Sequence, residues 1–260
     1  MSDAFQLEHG DGVLTVTFNR PECLNAFRRA EYHRFRDLLG EIEDDVAVSV
    51  VILTGSGRGF CAGEDLKELE STSDEVDAGV TRENVLVLQD ITRRVVRSER
   101  VYLAAVNGVA AGFGAELACA CDVRLAGEGA RFLFPEVKRG LFITNGISWS
   151  LPRLVGDNWA ASLLLTGDSI DAQVAKRIGL VTDVIAQDSL LPVAQAMGAG
   201  IAAAAPTAVR HTKRILRRDA EGLEQALATE VEYIDRVIAS GEYREGARAF
   251  VEKRPPRYTR

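Results

Sequence analysis

Ala104-Ala105-Val106-Asn107-Gly108-Val109-Ala110-Ala111-Gly112-Phe113-Gly114-Ala115-Glu116-Leu117 is the stretch on which the reading of this chain turns. An apolar strand ends in Asn-Gly, a run of small residues follows, and a helix opens with one carboxylate, Glu116, in its first turn. Glycine and alanine let a ligand come close to the backbone. A helix start leaves backbone N–H groups without partners, and these can hold an oxygen that gains negative charge. An anion-stabilising backbone beside a lone carboxylate points to chemistry on a carbonyl compound.

A second segment mirrors the first. The strand Val48 to Leu53 leads into Thr54-Gly55-Ser56-Gly57-Arg58-Gly59-Phe60-Cys61-Ala62-Gly63-Glu64-Asp65-Leu66-Lys67, with a helix expected to start near Glu64. The glycine triplet is no dinucleotide fingerprint, which needs glycine where Phe60 stands and a helix opening at the triplet itself. No Gly-Lys-Ser/Thr follows, so a P-loop is excluded. If the two helix starts are adjacent in space, they aim one N–H each at a single oxygen, an arrangement that stabilises an enolate or a tetrahedral oxyanion. Two tight turns packed against a sheet would give the same pattern. A third element, Phe132-Leu133-Phe134-Pro135-Glu136-Val137, sets Glu136 alone in an apolar run. A buried carboxylate without a cation has a raised pKa and suits general acid–base work, although a structural cap or ion pair fits the residue equally well.

The rest of the chain frames these segments. Its 260 residues, 47% hydrophobic, suffice for one sizeable core with an appended helical part. A formal net charge of −7 and a pI of about 5.2 argue against a nucleic-acid partner. Local basic clusters at Arg28-Arg29, Arg93-Arg94, Arg210 to Arg218 and Lys253-Arg254 read as solvated helix faces, a few of them able to meet the phosphates of an anionic ligand. The segment Met1 to Phe5 has neither a basic n-region nor a long apolar run, so neither a signal peptide nor a membrane span is expected. Cys119-Ala120-Cys121 lacks a second ligand pair and His9, His33 and His211 are scattered, so no zinc site is expected. Reduced, buried thiols in a cytoplasmic protein are the expectation for Cys23, Cys61, Cys119 and Cys121.

Strands and helices alternate through the first half. Phe5 to His9 and Val13 to Phe18 read as a hairpin, and Phe27, Tyr32, Phe35, Leu38, Leu39 and Ile42 share one face of a helix over Arg28 to Ile42. A helix over Arg82 to Val96, a strand over Val101 to Val106, a helix from Gly114 and short strands at Val123 to Ala126 and Arg131 to Leu133 follow. Beyond about Asn145 the strand signal fades into a series of helices, with Asp171 as an N-cap and Pro206 at a helix start. An α/β core over 1–200 with a helical section over 201–260 is the expected organisation.

Taken together, the motifs resemble the enoyl-CoA hydratase/isomerase (crotonase) family. Asn19-Arg20-Pro21 with Leu24-Asn25-Ala26 resembles its N-terminal signature, Phe60 to Leu66 its first oxyanion loop, Asn107 to Leu117 its second, and Phe134-Pro135-Glu136 its later acidic motif. Leu165-Thr166-Gly167, Ala172, Ala175, Gly179-Leu180-Val181 and Phe250 to Arg254 resemble further family blocks. The resemblance implies a spiral of β-β-α turns and a helical C-terminal section that builds homotrimers or dimers of trimers. It implies an acyl-CoA thioester as substrate and no metal or redox cofactor, CoA being part of the substrate. By position it places the oxyanion N–H groups on Glu64 and Phe113 and the catalytic carboxylates on Glu116 and Glu136. Ala62, Gly63, Asp65, Leu66, Lys67 and Gly112 line the pantetheine and acyl path, and Arg28, Phe250 and Lys253 reach the CoA. The implied reaction is hydration of a trans-2-enoyl-CoA or its reverse. Alternatives are Δ3,Δ2-enoyl-CoA isomerisation through Glu136 alone, and a catalytically weak acyl-CoA-binding subunit.

Two residues depart from the family pattern. Phe113 replaces a glycine and its ring is expected to face the acyl pocket or the core, and Glu64 adds a third carboxylate whose side chain is expected to turn outward. Thr144 stands where the dehalogenase and dienoyl-isomerase branches carry an aspartate, and the segment Gly140 to Gly146 departs from the common Pro-Gly loop. Trp149 is expected in the core.

Overall fold

In a computed structural model, described for residues 4–65, 68, 78–217 and 219–258, a six-stranded sheet forms the frame. Strands β1 (Phe5–Gly10) and β2 (Val13–Phe18) make the expected antiparallel hairpin. Strands β3 (Val50–Gly55), β5 (Val101–Val106), β7 (Val123–Gly127) and β10 (Asp183–Ile185) then add in parallel, in the order β1-β2-β3-β5-β7-β10. The runs Val50-Val51-Ile52-Leu53 and Val101-Tyr102-Leu103-Ala104-Ala105-Val106 are apolar at every position because both faces of this sheet are covered. Val51, Leu53, Tyr102, Ala104 and Val106 face Phe35, Leu38, Leu39 and Ile42 of helix α1 (Arg29–Asp44) and Ile91 and Val95 of α2 (Ala78–Arg97). Val50, Ile52, Leu103, Ala105 and Leu125 face Leu190 and Ala194 of α7 (Leu190–Ala202).

A second sheet was not anticipated from the sequence. Strands β4 (Gly59–Cys61), β6 (Val109–Ala111), β8 (Arg131–Leu133) and β9 (Ile170–Asp171) pair in that order, parallel except for the last pair. Successive turns of the chain give β3 then β4, β5 then β6, and β7 then β8, one strand to each sheet, which is the expected spiral. Strands of two or three residues are too short to show an alternation, so β4 and β6 read as loops, and β9 and β10 correct the expectation that strands end near Asn145. The corner between the sheets leaves no room: a Cβ on Gly108 would lie 2.0 Å from the Arg58 carbonyl oxygen.

The remaining helices include the expected starts near Gly114, after Asp171 and at Pro206. They are α3 (Phe113–Ala120), α4 (Ile147–Val155), α5 (Asp157–Thr166), α6 (Ala172–Arg177), α8 (Pro206–Leu216), α9 (Ala220–Ser240) and α10 (Glu242–Val251). The Asp171 carboxylate caps α6 by accepting from the Val174 N–H at 2.8 Å. Helix α9 returns across α2 and α4, and α10 lies on the 3-10 turn Glu136–Arg139. The C-terminal helices thus fold back over the face where α3 begins. Trp149 is buried as expected, and its Nε1 donates to Asp219 at 3.0 Å. Cys61, Cys119 and Cys121 are buried thiols, whereas Cys23 is half-buried. No single helix among the described residues is long and apolar enough to cross a membrane; one bent pair, 187–202 with 206–216, passes that test by length and composition.

Candidate active site

Two backbones meet where the opening stretch predicts. Gly112, at φ +51°, is the N-cap of α3, and a Cβ on Gly114 would lie 2.0 Å from the Cys61 carbonyl oxygen, so α3 rests directly on β4. Phe113 is the first residue of α3, and its N–H has no partner within the helix. On the facing segment Gly63 sits at φ +86°, and a Cβ there would lie 2.7 Å from the Ala111 oxygen and 3.4 Å from the Phe113 nitrogen.

At Glu64 the expectation of a helix start is corrected. Glu64 is extended and bridges to Phe27, whose N–H donates to the Gly63 oxygen and whose carbonyl accepts from the Asp65 N–H, both at 2.8 Å. Phe27 claims the groups on either side of Glu64, so the chain is held as a one-residue strand. In a parallel bridge of this kind the N–H of the bracketed residue points away from the partner. Glu64 and Phe113 both line one cavity. Two asparagines fix the loop that delivers Glu64: the Gly59 carbonyl accepts from Asn25 Nδ2 at 2.8 Å and from Asn107 Nδ2 at 3.1 Å.

The two carboxylates come together as expected. Glu116, in the first turn of α3, is 3% exposed, and Glu136, opening the 3-10 turn, is 8% exposed. A Cβ on Gly112 would lie 3.0 Å from Glu136 Oε1, which sets that carboxylate against the start of α3. Burial lifts both carboxyls above the ordinary carboxylate range, and the neighbouring Glu136 charge lifts Glu116 further. Asn145 Nδ2 donates to Glu116 Oε2, a contact missed in the sequence. Glu116 Oε1, Glu136 Oε2 and Asn145 Oδ1 are buried without a hydrogen-bond partner in the protein. The available signal for Asn145 was a polar Thr144-Asn145 pair inside the run Leu141 to Ile147, whose other side chains are apolar.

The departing residues behave in two ways. The Phe113 ring packs into the aromatic core against Tyr32 (centroids 4.8 Å apart) and Phe27 (5.5 Å), while the residue still borders the cavity. Glu64 is exposed and on the cavity wall. The protein around it, then the Glu68 and Asp65 charges, push its carboxyl upward. That brings it to about 7, level with Glu136, while Glu116 is pushed higher.

The cavity holds about 1060 Å³, above the usual range for a small metabolite. Val85, Leu88, Phe142, Ile234 and Ile238 give it an apolar end, and Arg20, Arg29, Arg58 and Arg139 stand elsewhere in its wall. Ala62, Gly63, Asp65, Gly112 and Phe250 line it, whereas Leu66 and Lys67 lie outside the described residues. Arg28 is not on the wall: its guanidinium is held by Glu31 at 2.9 and 2.5 Å. Arg29 and Arg58 occupy the wall instead, because the start of α1 turns Arg28 back onto its own first turn. Lys253 is exposed and likewise off the wall, while Phe250 packs under the Arg139 guanidinium at 4.4 Å. Among the described residues no group of His, Cys, Asp and Glu is arranged to hold a metal ion.

Two small-residue backbones converging beside paired carboxylates, on a two-sheet spiral, agree with the comparisons to known proteins. The family model for enoyl-CoA hydratase/isomerase matches residues 8–260, and the chain belongs to that family. It is 36% identical over 250 residues to a short-chain-enoyl-CoA hydratase of Clostridium acetobutylicum, covering 95% of this chain and 94% of the relative. It is 34% identical over 259 residues to a 1,2-epoxyphenylacetyl-CoA isomerase of Escherichia coli, covering 98% of each. The crystal structure of an enoyl-CoA hydratase from Mycobacterium avium subsp. paratuberculosis superposes with a TM-score of 0.89 at 29% identity, covering 99% of both chains. An enoyl-CoA hydratase/isomerase structure from Pseudoalteromonas atlantica gives 0.88 at 32% identity, covering 99% of this chain and all of that one. The fold is the crotonase fold.

Proposed function

We propose that the chain hydrates trans-2-enoyl-CoA thioesters, or runs the reverse dehydration. One observation carries the reading: two buried carboxylates, neither paired with a cation among the described residues, share a cavity with the backbone N–H groups of Glu64 and Phe113. The thioester carbonyl oxygen accepts from those two N–H groups, which draws electron density off the β-carbon and stabilises the enolate-like transition state. Glu116 takes a proton from water as its oxygen bonds to the β-carbon, and Glu136 delivers a proton to the α-carbon. Burial keeps the pair from ionising together, so one protonated and one ionised member coexist. Atoms and charge balance with water alone, so the step calls for no metal or redox cofactor. The apolar end of the cavity takes the acyl group, and Arg29 and Arg58, which stand on its wall, meet the CoA phosphates. The exposed Leu165, Ile215 and Leu216 suit burial between copies, and we propose a homotrimer or a dimer of trimers.

The names of relatives include an isomerase, and Δ3,Δ2-isomerisation needs a single base, Glu136. The test is Glu116→Gln, assayed on a panel of enoyl-CoAs by loss of the conjugated-thioester absorbance. Hydration should fall by about 10²- to 10⁴-fold. Near-normal turnover on 2-enoyl-CoAs sinks the two-carboxylate assignment, and retained isomerisation of a 3-enoyl-CoA with no hydration in the native enzyme replaces it with the single-base reading.

A further inference from the structure

We propose that Asn145 is a third functional side chain of this site, its Nδ2 fixing Glu116 and its Oδ1 receiving a proton-bearing oxygen of the reacting water or the 3-hydroxyl product; this rests on the hydratase reading. Asn145 is 3% exposed. Its amide nitrogen donates to Glu116, the orientation that suits the ionised carboxylate a general base requires, and its oxygen lies away from it. That oxygen is buried with no protein donor, as are Glu116 Oε1 and Glu136 Oε2. These three buried acceptors, with Asn84 Oδ1 and Tyr32 OH unpaired on the same cavity wall, are costly unless the ligand brings hydrogen-bonding groups to them.

Asn145 is also held as a working part would be, from both sides. Gln89 Nε2, on α2, donates to the Thr144 oxygen at 3.0 Å and to the Leu227 oxygen at 2.8 Å. Glu230, on α9, accepts from the Gly146 N–H at 2.7 Å, the Ser148 N–H at 3.1 Å and the Ser148 hydroxyl at 2.5 Å. Gly146 sits at φ +72° against Leu223, where a Cβ would come within 2.6 Å of Cδ1. Gln89 and Glu230 are 1% and 2% exposed, so this clamp is part of the core.

The consequence for the reaction is directional. With Oε2 occupied by Asn145, Glu116 exchanges its proton at Oε1. A water that donates one hydrogen to Glu116 Oε1 and the other to Asn145 Oδ1 is left with a lone pair for the β-carbon. As the C–O bond forms, the O–H bond to Glu116 breaks toward the carboxylate, the other hydrogen stays on the new hydroxyl against Asn145, and Glu136 supplies the α-proton.

The experiment compares the full-length native enzyme with Asn145→Ala and Asn145→Ser. Two readouts are taken: steady-state kinetics on a 2-enoyl-CoA across pH, and the infrared carboxyl band of Glu116, assigned by its loss in Glu116→Gln. The expected result is a kcat lower by about 10- to 100-fold with KM changed less than about threefold. Loss of a donor to the charged form should raise the Glu116 midpoint by about one pH unit. A folded variant with kcat within about threefold of the native enzyme overturns the role of Oδ1, and an unmoved Glu116 midpoint overturns the hold through Nδ2. If Asn145→Ala does not fold, Asn145→Ser carries the same two criteria. A native enzyme that hydrates no enoyl-CoA refutes the hydratase reading, while the infrared midpoint still decides the Asn145–Glu116 contact on its own.

Discussion

Gly114→Ala tests the seat of helix α3 more sharply than any change to a reactive side chain. The added methyl would start 2.0 Å from the Cys61 oxygen and 2.8 Å from its carbonyl carbon and Cβ, all on β4. Ordinary contact begins near 3.4 Å, so the first turn of α3 must back away from β4 by roughly 1.4 Å. The overpacking itself should cost about 1–3 kcal/mol, enough to lower Tm by several degrees in a chain of this size without unfolding it. The same shift carries the Phe113 N–H away from an oxygen held by Glu64. Losing one such donor costs about 3–4 kcal/mol in the transition state, or about 10²- to 10³-fold in kcat. Glu116, one half-turn along, moves with it. The assay pairs thermal unfolding with hydration of a short 2-enoyl-CoA. A well-folded Gly114→Ala with kcat within about threefold of the native enzyme refutes the placement of the Phe113 N–H as a donor.

The other expectations concern pH and the supports of the site. Because burial raises the Glu136 carboxyl in the folded state, the native protein binds a proton there that the unfolded chain has released; stability contributed by that proton is full below the unfolded value near 4.5 and is lost as pH rises toward the folded one. Glu136→Gln removes the effect, so urea titrations should show the variant gaining on the native protein by up to about 1.4 kcal/mol per pH unit across that window and by a constant amount above it; a difference independent of pH contradicts the raised carboxyl. Asp122 accepts from the Tyr102 N–H at 2.8 Å, Lys213 Nζ at 2.9 Å and Arg217 Nε at 3.3 Å. Lys213 is buried, so Asp122→Ala leaves a desolvated ammonium without its carboxylate and should cost about 3–5 kcal/mol in chemical unfolding, against under about 1 kcal/mol if the cluster behaves as a surface one. Asn25 holds the Ser56 and Gly59 carbonyls while itself at φ +58°, so Asn25→Ala should cost about 2–4 kcal/mol and also lower kcat by loosening the approach to Glu64.

What was legible in the sequence followed the length of each signal. The parallel strands β3 and β5 carry apolar runs of four and six residues, and α1 shows its buried face through five regularly spaced side chains. Glu116 and Glu136 stood out because each is the lone charge in an apolar setting. The second sheet was hidden, since Gly59-Phe60-Cys61 and Val109-Ala110-Ala111 are too short for periodicity and carry small residues that also mark loops. Glu64 was misplaced as a helix start because its conformation is imposed by Phe27, thirty-seven positions earlier, through two backbone bonds no local rule contains. Asn145 depends on partners brought from α2 and α9, and an Asn-Gly pair reads locally as a turn. Arg28 and Arg29 are indistinguishable in a basic pair; only the fold decides that one is spent on Glu31 and the other faces the cavity.

The donors proposed at positions 64 and 113 belong to the peptide chain, and a peptide N–H is present whichever amino acid is encoded there. Drift at these two codons is therefore tolerated by the chemistry so long as Gly63, Gly112 and Gly114 keep the two backbones apposed. A large ring at 113 can be inherited without cost to the reaction when the core beside Tyr32 has grown to take it, and an acidic group at 64 can be inherited when it finds water. Substrate preference can then change through side chains attached to the very atoms that must not move, while Gly63, Gly112 and Gly114 hold the two backbones together.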